Sequence, residues 1–87
     1  MTYYVYMLKS IDRTSVKTYV GFTNNLNKRL EKHNNNKGAK STKGYKWIVI
    51  FKKRFISKSL ALSYEYKLKK NRKKRSLLLN ESIKSKY

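Results

Sequence analysis

The chain has 87 residues, with 23 lysines and arginines against 4 aspartates and glutamates, and no cysteine. That length supports one domain (1–87) around one small core, which buries about 60–65% of the surface the unfolded chain exposes; disulfides and thiolate metal sites are excluded. A formal charge of +19 repels itself and attracts polyanions through counterion release, so the expected partner is a nucleic acid. AT-rich codon usage inflates lysine, but it does not explain why acids are so few.

In chain order, Met1–Leu8 carries no leading basic residues and meets Lys9 too early for a signal sequence. No stretch approaches the roughly 18 apolar residues of a membrane span, so no membrane is expected and the protein is expected in the cytoplasm. Tyr3 to Ser10, aromatic and β-branched, reads as a strand bounded by the polar stretch Ile11 to Ser15. Thr18 to Thr23 reads as a second, joined to the first by a connection too long for a two-residue hairpin. Thr23, Asn24 and Asn25 are N-cap types, and Leu26 and Leu30 give the following helix a narrow apolar stripe that ends in the run Asn34 to Gly38. Ala39 to Lys46 is a polar, basic loop. Trp47 to Phe51 is the strongest buried-strand signal, with Lys52 to Ile56 able to extend it, and Ser57 is placed to cap a second helix.

On that helix Leu60, Ala61, Tyr64 and Leu68 share one face, and Glu65 falls about 40° outside their arc, at the edge of the buried side. A basic run from Lys69 to Arg75 precedes a short third helix carrying Leu77, Leu78, Leu79 and Ile83, then a frayed basic tail from Lys84 to Tyr87. Trp47 and the Leu77 to Leu79 run read as core. The expected class is α+β: a small three-stranded antiparallel sheet flanked by about three helices, order ββαβαα, with a core from about residue 3 to 80.

The chemistry is bounded by the acids. Asp12, Glu31, Glu65 and Glu81 are the only carboxylates, and His33 is the only histidine. A two-metal phosphodiesterase needs several acids to hold its ions, a His/Cys zinc site lacks its ligands, and no P-loop is present. An enzyme of this composition acting on phosphodiesters has to use one metal on one carboxylate, a design that suits a largely hydrated Mg²⁺. The plain reading of Glu65 is an ion pair with Lys69 at i+4, worth a few tenths of a kcal/mol.

Tyr4-Val5-Tyr6 on the first strand and Tyr19-Val20-Gly21 on the second resemble the paired signatures of the GIY-YIG nuclease superfamily. Gly21 to Asn34 resembles its first helix, with an arginine and then a histidine one turn later. Lys37 to Gly44 resembles the loop of its small stand-alone bacterial members, and Ser59 to Glu65 the helix that carries the metal-binding glutamate. Order and spacing match from Tyr4 to about Lys70. Tyr4 stands where the first signature opens on glycine, and Val20 where the second has isoleucine. The family's asparagine beyond the glutamate has two candidates, Asn71 and Asn80.

The resemblance implies a DNA endonuclease that uses one Mg²⁺ or Mn²⁺ ion. Tyr19 would activate or deprotonate the attacking water, with Tyr6 positioning it. Arg29 would stabilise the phosphorane charge, Glu65 would hold the metal, and His33 would share the proton transfer. A phenol of ordinary pKa, about 10, is a poor base at neutral pH, and nearby cations favour its phenolate. Arg29 and His33, at i and i+4, project from one helix face toward a common phosphate. Lys28, Lys32, Lys37, Lys40, Lys43, Lys69, Lys70 and Arg72 are the expected backbone contacts. With no separate sequence-reading domain, single-stranded, nicked or branched DNA is the expected substrate, RNA a second one, and repair or recombination the setting. The rival expectation is a non-catalytic basic nucleic-acid-binding module, either a degenerate nuclease or a ribosome-associated protein.

Overall fold

The computed structural model describes residues 1–12 and 14–85. Its elements are β1 (Tyr3–Ser10), β2 (Thr18–Thr23), α1 (Leu26–Asn34), a 3-10 turn (Lys40–Thr42), β3 (Trp47–Phe55), α2 (Lys58–Lys70) and α3 (Arg72–Ser85). This is the expected α+β fold. The strands form one antiparallel sheet in the order β2-β1-β3.

β1 is central because both its faces are apolar and buried from Val5 to Leu8. Successive strand side chains point to opposite faces. Val5 and Met7 therefore meet Val20 of β2, Ala61 and Leu68 of α2, and Leu78 of α3. Tyr6 and Leu8 meet Trp47, Tyr19 and the α1 residues Leu26 and Leu30 on the other side. Met7 pairs with Phe51 but Leu8 pairs with Val49, so Ile50 is an extra residue in β3, a β-bulge.

Side chains close the backbone groups that helix ends leave open. Asn25 Oδ1 accepts from Lys28 N at 3.2 Å, and Ser57 Oγ accepts from Leu60 N at 3.3 Å. Asn71 works on two helices: its own N–H closes α2 on Leu68 O at 3.2 Å, while its Oδ1 accepts from Lys74 N at 3.0 Å to start α3. Asn36 takes the left-handed conformation, φ 61°, just after α1.

Three expectations are corrected. α3 begins at Arg72, not near Leu77, because lysine and arginine are good helix formers and Asn71 caps the run. It continues through Ser85, so the tail expected to fray is helical that far, and Lys86 and Tyr87 lie outside the described residues. Leu60 and Leu77, expected in the core, are 61% and 51% exposed. The buried arc of α2 centres on Ala61 and Leu68, which puts Leu60 about 90° away and Glu65 only about 50° away. On α3, consecutive leucines are about 100° apart and cannot all face inward; Leu78 does.

Candidate active site

The site is built around a position with no side chain. Tyr6 and Gly21 are partners across the β1–β2 ladder, and the Tyr6 ring lies over the Gly21 backbone. A Cβ on Gly21 would stand 2.5 Å from Tyr6 Cζ and 2.9 Å from Tyr19 Cε2, so any other residue would push the two phenols apart. His33, from the last turn of α1, completes the cluster, with ring centroids 4.9 Å from Tyr19 and 6.0 Å from Tyr6.

Tyr6 and His33 are each 0% exposed, so their polar atoms need partners. Tyr6 Oη lies 2.8 Å from His33 Nε2, and His33 Nδ1 lies 2.9 Å from Thr42 Oγ1. The Thr42 hydroxyl donates its one proton to Ala39 O at 2.8 Å. It can therefore only accept from the imidazole, which fixes the proton of a neutral ring on Nδ1. Nε2 is then an acceptor, and Tyr6 is its donor.

The electrostatics agree with that direction. Burial, followed by the positive charge of Arg29, lowers His33 to about 4, so the ring is neutral at pH 7. Burial also raises Tyr6 to about 12, against hydrogen bonding from Arg29 that pulls it down; the nearby Tyr19 and Glu65 add to the rise. Hydrogen bonding with Tyr6 is the first cause that raises Arg29, partly opposed by burial. Arg29 Nε itself is buried with no hydrogen-bond partner among the described residues.

Glu65 comes from α2, yet its charge is felt at Tyr6. Its side chain is 17% exposed and lies 3.4 Å from Lys69 Nζ, the i+4 neighbour. Among the described residues, no three His, Cys, Asp or Glu gather into a metal cluster. Tyr6, Tyr19, Arg29 and His33 thus stand together, with Glu65 within electrostatic reach.

Lys28, Arg29 and Lys32 line an open groove of about 320 Å³ with Phe22 to Asn25. Lys37, Lys40 and Lys43 lie exposed on the loop over His33, and Lys69, Lys70 and Arg72 lie exposed where α2 meets α3. Of the two asparagine candidates, Asn71 is the shared helix cap and Asn80 is exposed on α3.

Two contributors escaped the sequence reading. Thr42 sets the His33 tautomer. Gly38 lets the loop close over the imidazole, since a Cβ there would stand 2.5 Å from His33 Nδ1. Both lie in the basic loop, where lysines dominate the pattern and hide them. Asn34 anchors the same corner by accepting from Trp47 N at 2.6 Å and donating to Trp47 O at 3.2 Å.

The model of the GIY-YIG catalytic domain matches residues 2–78; the chain belongs to the GIY-YIG family. It is 44% identical over 68 residues to a UPF0213 protein of Oceanobacillus iheyensis, covering 77% of this chain and 76% of the other. It is 40% identical to the UPF0213 protein YazA of Bacillus subtilis, over 97% of this chain and 84% of the relative. Protein L300 of Acanthamoeba polyphaga mimivirus is 42% identical over 87% of this chain, which spans 50% of that longer protein. In three dimensions the chain resembles the solution structure of the UPF0213 protein BH0048 from Bacillus halodurans, with a TM-score of 0.51, 33% identity, and coverage of 92% of this chain and 84% of that one.

Proposed function

We propose that the protein is a divalent-metal-dependent endonuclease that hydrolyses phosphodiesters, most readily in single-stranded, nicked or branched DNA, with repair or recombination as the setting. The observation that carries this reading is the pairing of two phenols over Gly21 with a guanidinium that bonds them and keeps an unpartnered nitrogen, in the field of one carboxylate at Tyr6.

Glu65 fits a loosely held Mg²⁺ or Mn²⁺ that keeps most of its waters: it is a hard oxygen donor, mostly shielded, and its ion-pair partner is a lysine. When bound, such an ion neutralises charge on the scissile phosphate and acidifies a water. Arg29 grips a phosphate oxygen and stabilises the charge that builds during in-line attack. Tyr19, beside it, takes the proton of the attacking water.

Tyr6 and His33 do different work. Burial raises Tyr6 to about 12 and lowers His33 to about 4, and both shifts oppose moving the proton from phenol to imidazole. Tyr6 therefore stays protonated and orients the cluster through its oxygen. His33 is a positioning residue that acts through Tyr6, and Thr42 acts through His33.

A cleavage assay over single-stranded, duplex, nicked and branched DNA and RNA, at stated salt with Mg²⁺ or Mn²⁺, tests the reading. Cutting should vanish with EDTA and with Glu65→Ala while DNA affinity survives both. Full cutting by Glu65→Ala would sink the metal assignment. The Lys69 ammonium beside Glu65 favours one other reading, a binding module without catalysis, and no cutting of any substrate with either metal would support it.

A further inference from the structure

α3 breaks a local rule. Its first turn holds Arg72, Lys73, Lys74 and Arg75 with no acid, although the positive end of a helix favours anions and repels cations. A local conflict with no internal compensation points to a function.

Arg72, Arg75, Ser76 and Leu79 share one face of α3 at helical spacing. They line a cavity of about 140 Å³ with Met7 of β1 and Thr18 of β2. Arg75 Nε is buried and has no hydrogen-bond partner among the described residues. A buried guanidinium nitrogen without an acceptor is costly, and nothing lining the cavity carries a negative charge to meet it.

We propose that this cavity is a phosphate-binding site, with Arg72 and Arg75 holding the oxyanion and the hydroxyls of Ser76 and Thr18 completing its shell. Two guanidiniums and two hydroxyls suit a tetrahedral anion with several acceptor oxygens. The volume is well below the roughly 300–1,000 Å³ of sites for drug-sized molecules, so it takes a phosphate group and not a nucleoside.

Its place in the fold points to the backbone of a nucleic acid. Thr18 immediately precedes Tyr19 in β2, an edge strand, and neighbouring strand residues point to opposite faces. The cavity thus lies back to back with the phenols across one strand. A polynucleotide that wraps the β2 edge could present one phosphate to Arg29 and another to Arg75. That last step rests on the proposed nuclease reading; the phosphate site itself does not.

The arginine Nε–H resonances of the intact protein, followed by NMR at fixed ionic strength, test the site. Inorganic phosphate and a short single-stranded oligonucleotide are the two probes. Phosphate should move Arg75 Nε–H with saturation, and Arg75→Gln (read at Arg72 Nε–H) and Ser76→Glu should each weaken that binding about tenfold or more. Ser76 is exposed, so its substitution leaves the fold intact and places a carboxylate beside both guanidiniums. A response to both probes assigns the site to a strand; a response to phosphate alone assigns it to a free phosphate or monoester. If neither probe moves Arg75, or if both variants bind phosphate as tightly as the wild type, the proposal is overturned. Glu65→Ala should keep the full phosphate response whether or not the protein cuts DNA, so the two proposals fail separately.

Discussion

The two faces of the sheet bury the side chains of β1 equally completely, with opposite chemistry. Toward α2 and α3, Val5, Met7, Val20, Ala61, Leu68 and Leu78 form an apolar contact with no buried polar side chain among them. Toward α1, a tyrosine, a histidine and a threonine are buried in one hydrogen-bonded line. The first arrangement needs only volume and periodicity. The second needs every donor matched to an acceptor, since an unmatched buried group costs about as much as a lost side chain. On the proposed reading, the apolar face holds the fold while the polar face orients reactive groups, and the two jobs are separable.

Removing Arg29 should break that separation least in stability and most in activity. Arg29→Ala is expected to lower cleavage about 100–1,000-fold and to cost only about 1 kcal/mol of stability, the net worth of its hydrogen bonding to Tyr6. Kinetics with a parallel melt would show whether both hold. Leu68→Ala should do the reverse, costing about 2–5 kcal/mol in urea unfolding with the rate per folded molecule preserved. A large rate loss there would show that the faces are coupled.

Acid probes the polar face alone. The folded pKa of His33 is lowered from 6.5 to about 4, so in that window the unfolded chain binds the proton more readily. Stability should be complete above pH 6.5, then fall by roughly 3 kcal/mol as pH drops through 4. Urea melts at pH 7 and pH 4 should show the loss, and His33→Gln should flatten it. Tyr6 gives the alkaline mirror: its folded pKa is raised, so its contribution is intact below pH 10 and lost as pH climbs toward 12. The smallest effect is expected from Thr42→Val, which leaves His33 Nδ1–H without its acceptor at a cost of about 1–3 kcal/mol. Loss of the Tyr6–His33 coupling in imidazole NMR spectra would show that the tautomer depends on Thr42.

Much of the fold was legible because its signals are local. β1 and β2 carry their aromatic and β-branched composition within themselves, and Asn25 and Ser57 announce the helices they cap. α3 was harder, since the run of lysines and arginines reads as a basic stretch ahead of the helix until the Asn71 cap is seen. The candidate residues were legible only through family resemblance, for nothing about Tyr6 or His33 alone separates them from other aromatics. Their hydrogen-bond direction was hidden altogether. It depends on Thr42 and Ala39, nine and six residues beyond His33, brought back by a loop whose folding over the ring requires Gly38.

The bulge at Ile50 has a consequence for how sequences of this fold can drift. On the Phe51 side of it, odd-numbered residues of β3 face α2 and α3; beyond it, Val49 and Trp47 face α1. One residue thus inverts the parity of the strand midway. It sends the Trp47 indole toward Thr42, whose carbonyl accepts from Nε1 at 3.0 Å. Pairing these residues without the bulge would turn Trp47 away from the loop that holds His33 in place, whereas deleting Ile50 would regularise the strand and leave Val49 opposite Leu8 with Trp47 still facing α1. A sequence of this fold that lacks a residue at Ile50 can therefore lose the bulge and still keep the support beneath the imidazole.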